Sequence, residues 1–543
     1  MGAGNMKRSL ILLLACLLLT GCAARSGTAA EQELNVALSM YPVTMDAQLA
    51  ADVGSAQYIN LISGRLLRLD PEKGYVPELA ESFAVSEDGC TYTFRLREGI
   101  RYSNGEAIDA GDFVDAFRRI ADPLTASPAI YVLQDLCRMK NVDEVNAGTM
   151  EPDRLGAYAP DERTLVIELE QPCPYFPYVL TMETFTPYNR AFAAACGRDY
   201  ATSPETLLSS GPFCVDRYEP LAMQVHYTKN PWYIDADRVK LPGVMIRQVS
   251  NQQQAIMSYQ AGEADLVTIG GEYAVLSEND PCLLQGPGGF IYFIGGNYER
   301  CQAWRNRNIR LALGFALDRE SIVDGFLRAG YTPATRLIPT GFCTEGEGKD
   351  FAANPAQYSA TCAFDPERAR ECWTKGLAEL GVKELELEFL TTSSNQQIAE
   401  ILKDQWERTL PGFKFKARLV SNAQFFEMRS KGEFEIYLSG WGADYPDPNA
   451  FLAIFESRSP ENTMHYENAD FDRLLREASL ETNPEKRFAL LHQAEDIFMD
   501  DLGAVPFYAK GNAFLISERV KGVRIHFSGT QLLLSFAEKE AES

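Results

Sequence analysis

Several stretches of the chain carry the two-residue period of a half-buried strand, or a short apolar run of strand length. They lie at 34–38, 92–97, 165–169 and 385–390. Between them the apolar positions recur at helical spacing, at 110–120, 309–317, 321–329, 366–380, 471–480 and 484–499. Two helix starts are marked chemically. Asp109 precedes the first stretch as an N-cap, and Asp365 precedes Pro366 at the first helical position. The stretches 471–480 and 484–499 are joined by only Glu481-Thr482-Asn483, which predicts a helical hairpin. Strands and helices interleave throughout, with no internal repeat and no low-complexity tract. The pattern predicts an α/β chain of two lobes.

The first 22 residues have another pattern. Met6-Lys7-Arg8-Ser9 leads into an apolar run from Leu10 to Leu19, then Thr20-Gly21-Cys22. This is a secretory signal of the bacterial lipoprotein type. Its apolar run is too short for a permanent membrane span. Leu19-Thr20-Gly21-Cys22 resembles a lipobox, which implies removal of 1–21 and lipidation of Cys22. Residues 22–32, rich in Ala, Gly, Ser and Thr, read as a tether. The mature chain is thereby expected at the extracytoplasmic face of a bacterial cell membrane.

Composition narrows the classes. With 543 residues, 46% of them hydrophobic, the chain can bury the cores of two or three domains. The formal charge is −24, and loss of Lys7 and Arg8 with the signal makes it more negative. Such a surface offers no nucleic-acid footprint and no polybasic membrane contact. Beyond Cys16 and Cys22, ten cysteines are scattered without a C-x-x-C pair, so no zinc ribbon or thioredoxin-like site is suggested. Cys343 and Cys362 close one Gly-rich loop and are the pair expected to bridge. The four histidines share no ligand spacing, and no metal site is expected. G-x-S-x-G, S-x-x-K, H-E-x-x-H and a P-loop are all missing. The residues that stand out are aromatic and turn-forming, which suits a binding cleft. The reading is a monomeric binder, not an enzyme, with no cofactor.

A series of blocks then carries a resemblance. They run from Val76-Pro77-Glu78-Leu79-Ala80-Glu81-Ser82-Phe83 through Ser103-Asn104-Gly105-Glu106 to Asp122-Pro123-Leu124-Thr125-Ala126-Ser127-Pro128. They continue at Ser210-Gly211-Pro212-Phe213, Lys229-Asn230-Pro231-Trp232-Tyr233 and Gly262-Glu263-Ala264-Asp265-Leu266. They close at Gly440-Trp441-Gly442-Ala443-Asp444-Tyr445-Pro446-Asp447-Pro448. In order and extent, over roughly 34–517, this resembles the extracellular oligopeptide- and dipeptide-binding proteins of ABC importers.

The resemblance implies a two-lobed, periplasmic-binding-protein-like clamp with an extra inserted domain. Lobe I would comprise 33–62, 210–290 and 509–537, the inserted domain 63–209, and lobe II 291–508, with hinges near 290 and 508. It implies a peptide ligand held in the cleft by strand addition, permease subunits of the importer as partners, and membrane attachment through the lipid. Asp444 matches the family aspartate that holds the peptide's α-amino group. Trp441 would wall the cleft, with Gly442 and Ala443 beside it, while Asp447-Pro448 reads as turn chemistry. Ala51, Asp52 and Val53 match the first-lobe segment that pairs with the ligand main chain. Ala129 stands where a tyrosine is frequent, and Leu438 where some members place a carboxylate-binding arginine. Arg429 matches another arginine of that kind. A distant cation and a lost tyrosine predict that peptides of about four residues or more bind better than dipeptides, since each added residue brings main-chain hydrogen bonds worth ~0.5–1.5 kcal/mol. The alternatives are another solute of the same family (an oligosaccharide, haem or a metal chelate) or peptide sensing without transport.

Overall fold

The computed structural model describes residues 32–70, 72–328, 330–345, 348–353, 362–526 and 531–541. The signal, Cys22 and nearly all of the tether lie outside the described residues.

One 11-stranded sheet runs through the molecule. Its long strands are β1 (Leu34–Leu38), β2 (Phe213–Glu219), β3 (Gln224–Lys229), β4 (Gly243–Gln248) and β5 (Leu266–Ile269), then β6 (Leu283–Gly296), β7 (Leu385–Thr392), β8 (Phe413–Val420), β9 (Ile436–Gly442) and β10 (Val505–Ile516). Their spatial order is β8-β7-β9-β6-β10-β5-β1-β4-β3-β2, and the short strand Thr332–Pro333 pairs with β10 off this path. Strand β1 lies parallel to β4 and β5, and β7 parallel to β8 and β9. The other pairs are antiparallel.

The two longest strands, β6 and β10, belong to both halves. Leu283–Pro287 pair with Gly511–Leu515, beside β5. Ile291–Ile294 pair with Val505–Ala509, beside β9. Between these runs the register breaks, from Pro287 to Ile291. Gly289 there has φ +56°, a conformation that a side chain disfavours, and a Cβ on Gly288 would lie 2.7 Å from the Lys510 carbonyl oxygen. The Phe290 ring that follows lies over β9, where a Cβ at Gly440 or Gly442 would come within 2.1 or 2.7 Å of it. Gly442 therefore serves packing at the crossing.

The inserted domain holds a four-stranded antiparallel sheet, Ala80–Val85, Thr91–Leu96, Thr164–Glu168 and Ala157–Asp161 in that spatial order. The amphipathic helix Ala110–Ala121 covers it, with Asp109 and Asp112 forming a reciprocal capping box. The predicted helix at 366–380 is found as Pro366–Leu380, and the Asp365 carboxylate accepts from Arg368 N at 2.9 Å. The predicted hairpin is Ala469–Leu480 and Pro484–Asp501. The stretch at 321–329 is not one helix. A short turn, Arg319–Ile322, passes into a π-helical turn, Val323–Leu327, which includes Gly325 and ends at Arg328 with φ +46°.

Two expectations are corrected. Cys343 and Cys362 are both buried thiols in this structure, and the expected bridge between them is not found in it. Cys343 acts as a small apolar side chain, and the Cys362 carbonyl is held instead by the buried Arg319 guanidinium at 2.6 Å. Asp447 is more than a turn residue. Its two oxygens accept from Arg487 at 2.7 and 2.8 Å, with both side chains nearly dry. One Asp447 oxygen also accepts from Asn449 N at 2.9 Å, which sets the start of the next turn. Removing one partner strands a buried charge, so Asp447→Ala is expected to lower stability by about 3–5 kcal/mol. The double replacement Asp447→Leu with Arg487→Met should recover most of that loss. Denaturant titration of the three proteins measures both effects.

Candidate functional site

Beyond β9 the chain turns at Ala443, whose N–H donates to the Gly289 carbonyl at 3.0 Å. This bond fixes the next residue, Asp444, at the end of the crossing strands. Asp444 faces a cleft of about 180 Å3 lined by Ala47, Ala50, Ala51, Asp52, Val53, Ala56, Pro128, Ala129, Tyr131, Val132, Met182, Glu183 and Thr184. The walls come from three segments ahead of β2, and the carboxylate comes from the far side of the crossing.

A buried network holds those walls. Arg119 donates to both oxygens of Asp46 at 2.6 and 2.5 Å and to Gln48 at 2.8 Å. Gln48 donates to the Thr184 carbonyl at 3.0 Å, and the Ser127 hydroxyl donates to the Gln48 carbonyl at 2.5 Å. The segments that carry Ala51 to Val53, Ala129 and Thr184 are thus tied together. Asp52 caps the helix Val53–Ile59, accepting from Ser55 N at 2.8 Å and from the Ser55 hydroxyl at 2.6 Å. Its carboxylate is committed to that cap, so the segment offers backbone rather than charge.

Asp444 is placed differently. Among the described residues it makes no ion pair, and its one side-chain partner is the Tyr131 hydroxyl, which donates at 3.3 Å. The carboxylate touches solvent in the cleft but is crowded by protein around it. This desolvation raises its pKa, and the Tyr131 hydrogen bond opposes the rise only in part. The Thr184 hydroxyl, also buried on the cleft wall, finds no hydrogen-bond partner among the described residues. The cleft thus presents a solvent-facing carboxylate with no cation and a buried free hydroxyl amid alanine, valine and methionine, beside the already engaged Asp52 and Glu183. That set suits a cation with a donor-rich neighbour.

The structure brings Ala51, Asp52, Val53, Ala129 and Asp444 to one cleft. The other expected site residues lie elsewhere. Trp441 is half-buried in β9, opposite Ile291, with its indole N–H donating to the Ala450 carbonyl at 2.8 Å. Gly442 packs on Phe290, and Ala443 is buried. Arg429 donates to the Ser439 hydroxyl at 3.1 Å and pairs with Glu461 at 3.3 Å, outside this cleft. Leu438 is core.

Two residues not singled out by the sequence lie near the crossing, Tyr131 in the cleft lining and Lys510 outside it. Tyr131 supplies an aromatic hydroxyl two positions after Ala129; the signal was the tyrosine itself, displaced from the expected place. Lys510 sits in the apolar run of β10, its backbone against Gly288. Its ammonium reaches solvent yet is crowded enough that desolvation lowers its pKa, and it forms no ion pair among the described residues. A second cavity, about 730 Å3, runs along the crossing strands and is lined by Gln285, Gly286, Gly288, Gly289, Thr332, Thr335, Arg336 and Ala509 among others. Because Gly289 bonds to Ala443, this cavity begins one residue from Asp444.

The inserted domain touches the far lobe at a second point. Tyr175 stacks on Tyr445 with ring centroids 4.5 Å apart and planes 14° apart, and the Arg487 guanidinium lies 5.7 Å from the Tyr175 ring.

Comparison with known proteins gives a family. A model for bacterial extracellular solute-binding proteins, family 5, matches residues 74–463. The chain is 28% identical over 528 residues to the dipeptide-binding protein DppE of Bacillus subtilis, covering 95% of this chain and 93% of that one. Listeria monocytogenes OppA bound to peptide is 28% identical, with a TM-score of 0.72 over 94% of this chain and 99% of that one. The unliganded open form of the murein tripeptide-binding protein MppA of Escherichia coli shares the fold at a TM-score of 0.81 over 94% of this chain and 97% of that one, with 24% identity.

Proposed function

We propose that this chain, which belongs to family 5 of the bacterial extracellular solute-binding proteins, captures peptides between its lobes and delivers them to an ABC importer. The observation that carries the reading is Asp444, a carboxylate without a cation in a cleft whose other carboxylates are already held, Asp52 by Ser55 and Glu183 by Asn60 and Arg65. A free α-amino group supplies the missing charge. A neutral sugar would leave it unmet, which sets the oligosaccharide alternative behind the peptide one. The main chain of the ligand would pair with backbone around Ala51 to Val53, and Thr184 would take one of its polar groups. Such pairing is indifferent to side chains, which suits a carrier of many sequences. Lys510 is proposed as the cation for the ligand's carboxylate, in place of Arg429. Strands β9 and β10 flank β6, so Asp444 and Lys510 stand about two strand spacings apart, roughly 10 Å. That is the reach of about three extended residues. Closure of the lobes would bend the break at Pro287 to Ile291, and ligand contacts with both lobes would select the closed form.

The amine reading gives a double-mutant test. Asp444→Ala is expected to weaken a free peptide by about 3–5 kcal/mol, two to four decades in Kd. N-acetylation of the peptide should weaken wild type comparably and the variant much less. Equal binding of acetylated and free peptide by wild type would overturn the assignment. The amine pair also needs Asp444 ionised. Its pKa in the free protein is raised, so affinity should be flat at neutral pH and fall on acidification, beginning above the usual carboxylate range. Asp444→Asn should lose that acid limb. Calorimetric titration across pH reads both.

For Lys510, Lys510→Met should weaken peptides with a free C-terminus by about tenfold or more and leave C-terminal amides nearly unchanged. A length series of Ala peptides is expected to gain affinity from two residues to three or four and then level off. Equal losses for acid and amide would place Lys510 outside the ligand site.

The anchor is proposed from the lipobox alone. Cys22→Ala should move the protein from the membrane fraction to the soluble one, as read by fractionation and immunoblot. A single acyl chain binds membranes only marginally, so a multi-chain lipid is implied.

A further inference from the structure

Two buried cysteines of the inserted domain take no part in the site. Cys137 and Cys173 are 0% and 2% exposed, and both are thiols in this structure. Their segments run side by side. Met139 bridges Leu169, and Glu170 N donates to the Arg138 carbonyl at 2.8 Å. The Cys173 thiol lies 3.7 Å from the Leu136 carbonyl, which also accepts from the Tyr175 hydroxyl at 3.1 Å. The Leu136 carbonyl immediately precedes Cys137, so the Cys173 sulfur sits against the residue next to Cys137. Burial pushes the Cys137 thiol well above its ordinary range, with the neighbouring Cys173 a lesser cause. These same segments carry two of the contacts with the far lobe. Tyr131, on Asp444, leads into the π-helical turn Val132–Leu136 just before Cys137. Tyr175, on Tyr445, follows Cys173 by two residues.

We propose that Cys137 and Cys173 form a disulfide in the exported protein, a staple between the segments that present Tyr131 and Tyr175 to the far lobe. Both S–H bonds are lost and one S–S bond forms. The two electrons and two protons pass to the disulfide of an extracytoplasmic thiol–disulfide oxidoreductase, which leaves as its dithiol. Folded, the pair is shut away from solvent and exchanges slowly, so the bond forms during export, before the core closes. The closed loop of the unfolded chain then favours the folded state. The proposal rests on the extracytoplasmic location of the family and not on the identity of the ligand.

The test uses full-length protein exported into an oxidising periplasm. It is alkylated in denaturant with and without prior reduction, then digested and mapped by mass spectrometry. Without reduction, Cys137 and Cys173 are expected to escape alkylation and to appear in one linked peptide pair. After reduction both should alkylate, and the Tm of the reduced protein should fall by several degrees. The double variant Cys137→Ser/Cys173→Ser should show no reductant-dependent shift. Quantitative alkylation of both residues without reductant, or linkage of either to another cysteine, overturns the proposal. That mapping is made on wild type and stands whether or not the variant folds.

Discussion

The fold depends on the antiparallel pairing of Leu283–Gly296 with Val505–Ile516. Each strand spans both halves, so the lobes share one sheet instead of hanging on a linker. A continuous ladder of that length would be stiff. Here it is interrupted from Pro287 to Ile291, where glycine removes side chains at the closest approach to Lys510. On the proposed reading, bending on closure would fall at this interruption, with the paired runs on either side belonging to one lobe each. It also sets the site, because the Gly289 carbonyl freed from the ladder is what accepts from Ala443 and fixes Asp444.

Two carboxylates three residues apart show how environment divides roles. Asp447 is buried, with both oxygens on one guanidinium and a backbone N–H besides. Nothing is left for a ligand, and its loss would be felt as stability. Asp444 has a single neutral hydroxyl at 3.3 Å and a raised pKa. Its charge is under-compensated, and on the proposed reading its loss would be felt as affinity. The turn sequence Asp444-Tyr445-Pro446-Asp447 does not itself distinguish the two; what differs is the partner that the fold brings to each.

Much of the fold was legible where local chemistry agreed with periodicity. Asp365 with Pro366, and Asp109 with the amphipathic run after it, each mark a helix start that the structure keeps. The crossing strand Leu283–Gly296 was not legible, because it has glycines and a proline where alternation should be and no polar face to set a period. Its partner, Val505–Ile516, is buried along nearly its whole length and so hides Lys510 in an apolar run. Ala51 to Val53, Ala129 and Asp444, expected from short segments with strong blocks, do line one cleft. Tyr131 was missed because the expected tyrosine position is Ala129, two residues earlier. Arg429, the right residue type for a carboxylate, lies outside that cleft, held by Glu461 and Ser439.

The contacts that join the inserted domain to the far lobe are individually weak. An offset aromatic stack is worth about 0.5–1.5 kcal/mol beyond its burial, and a long hydroxyl–carboxylate bond falls near the low end of ~1.5–3 kcal/mol for charged partners. A clamp needs this scale. Lobes held by the Asp447–Arg487 kind of pair would not part, and lobes held by nothing would spend binding energy on ordering. On the proposed reading, the ligand amine takes over a carboxylate held only by Tyr131, so little is broken when the stronger pair forms. Differential contact with one state is the sole way a ligand shifts an equilibrium. The unmatched charge of Asp444 is the largest such difference that this cleft offers.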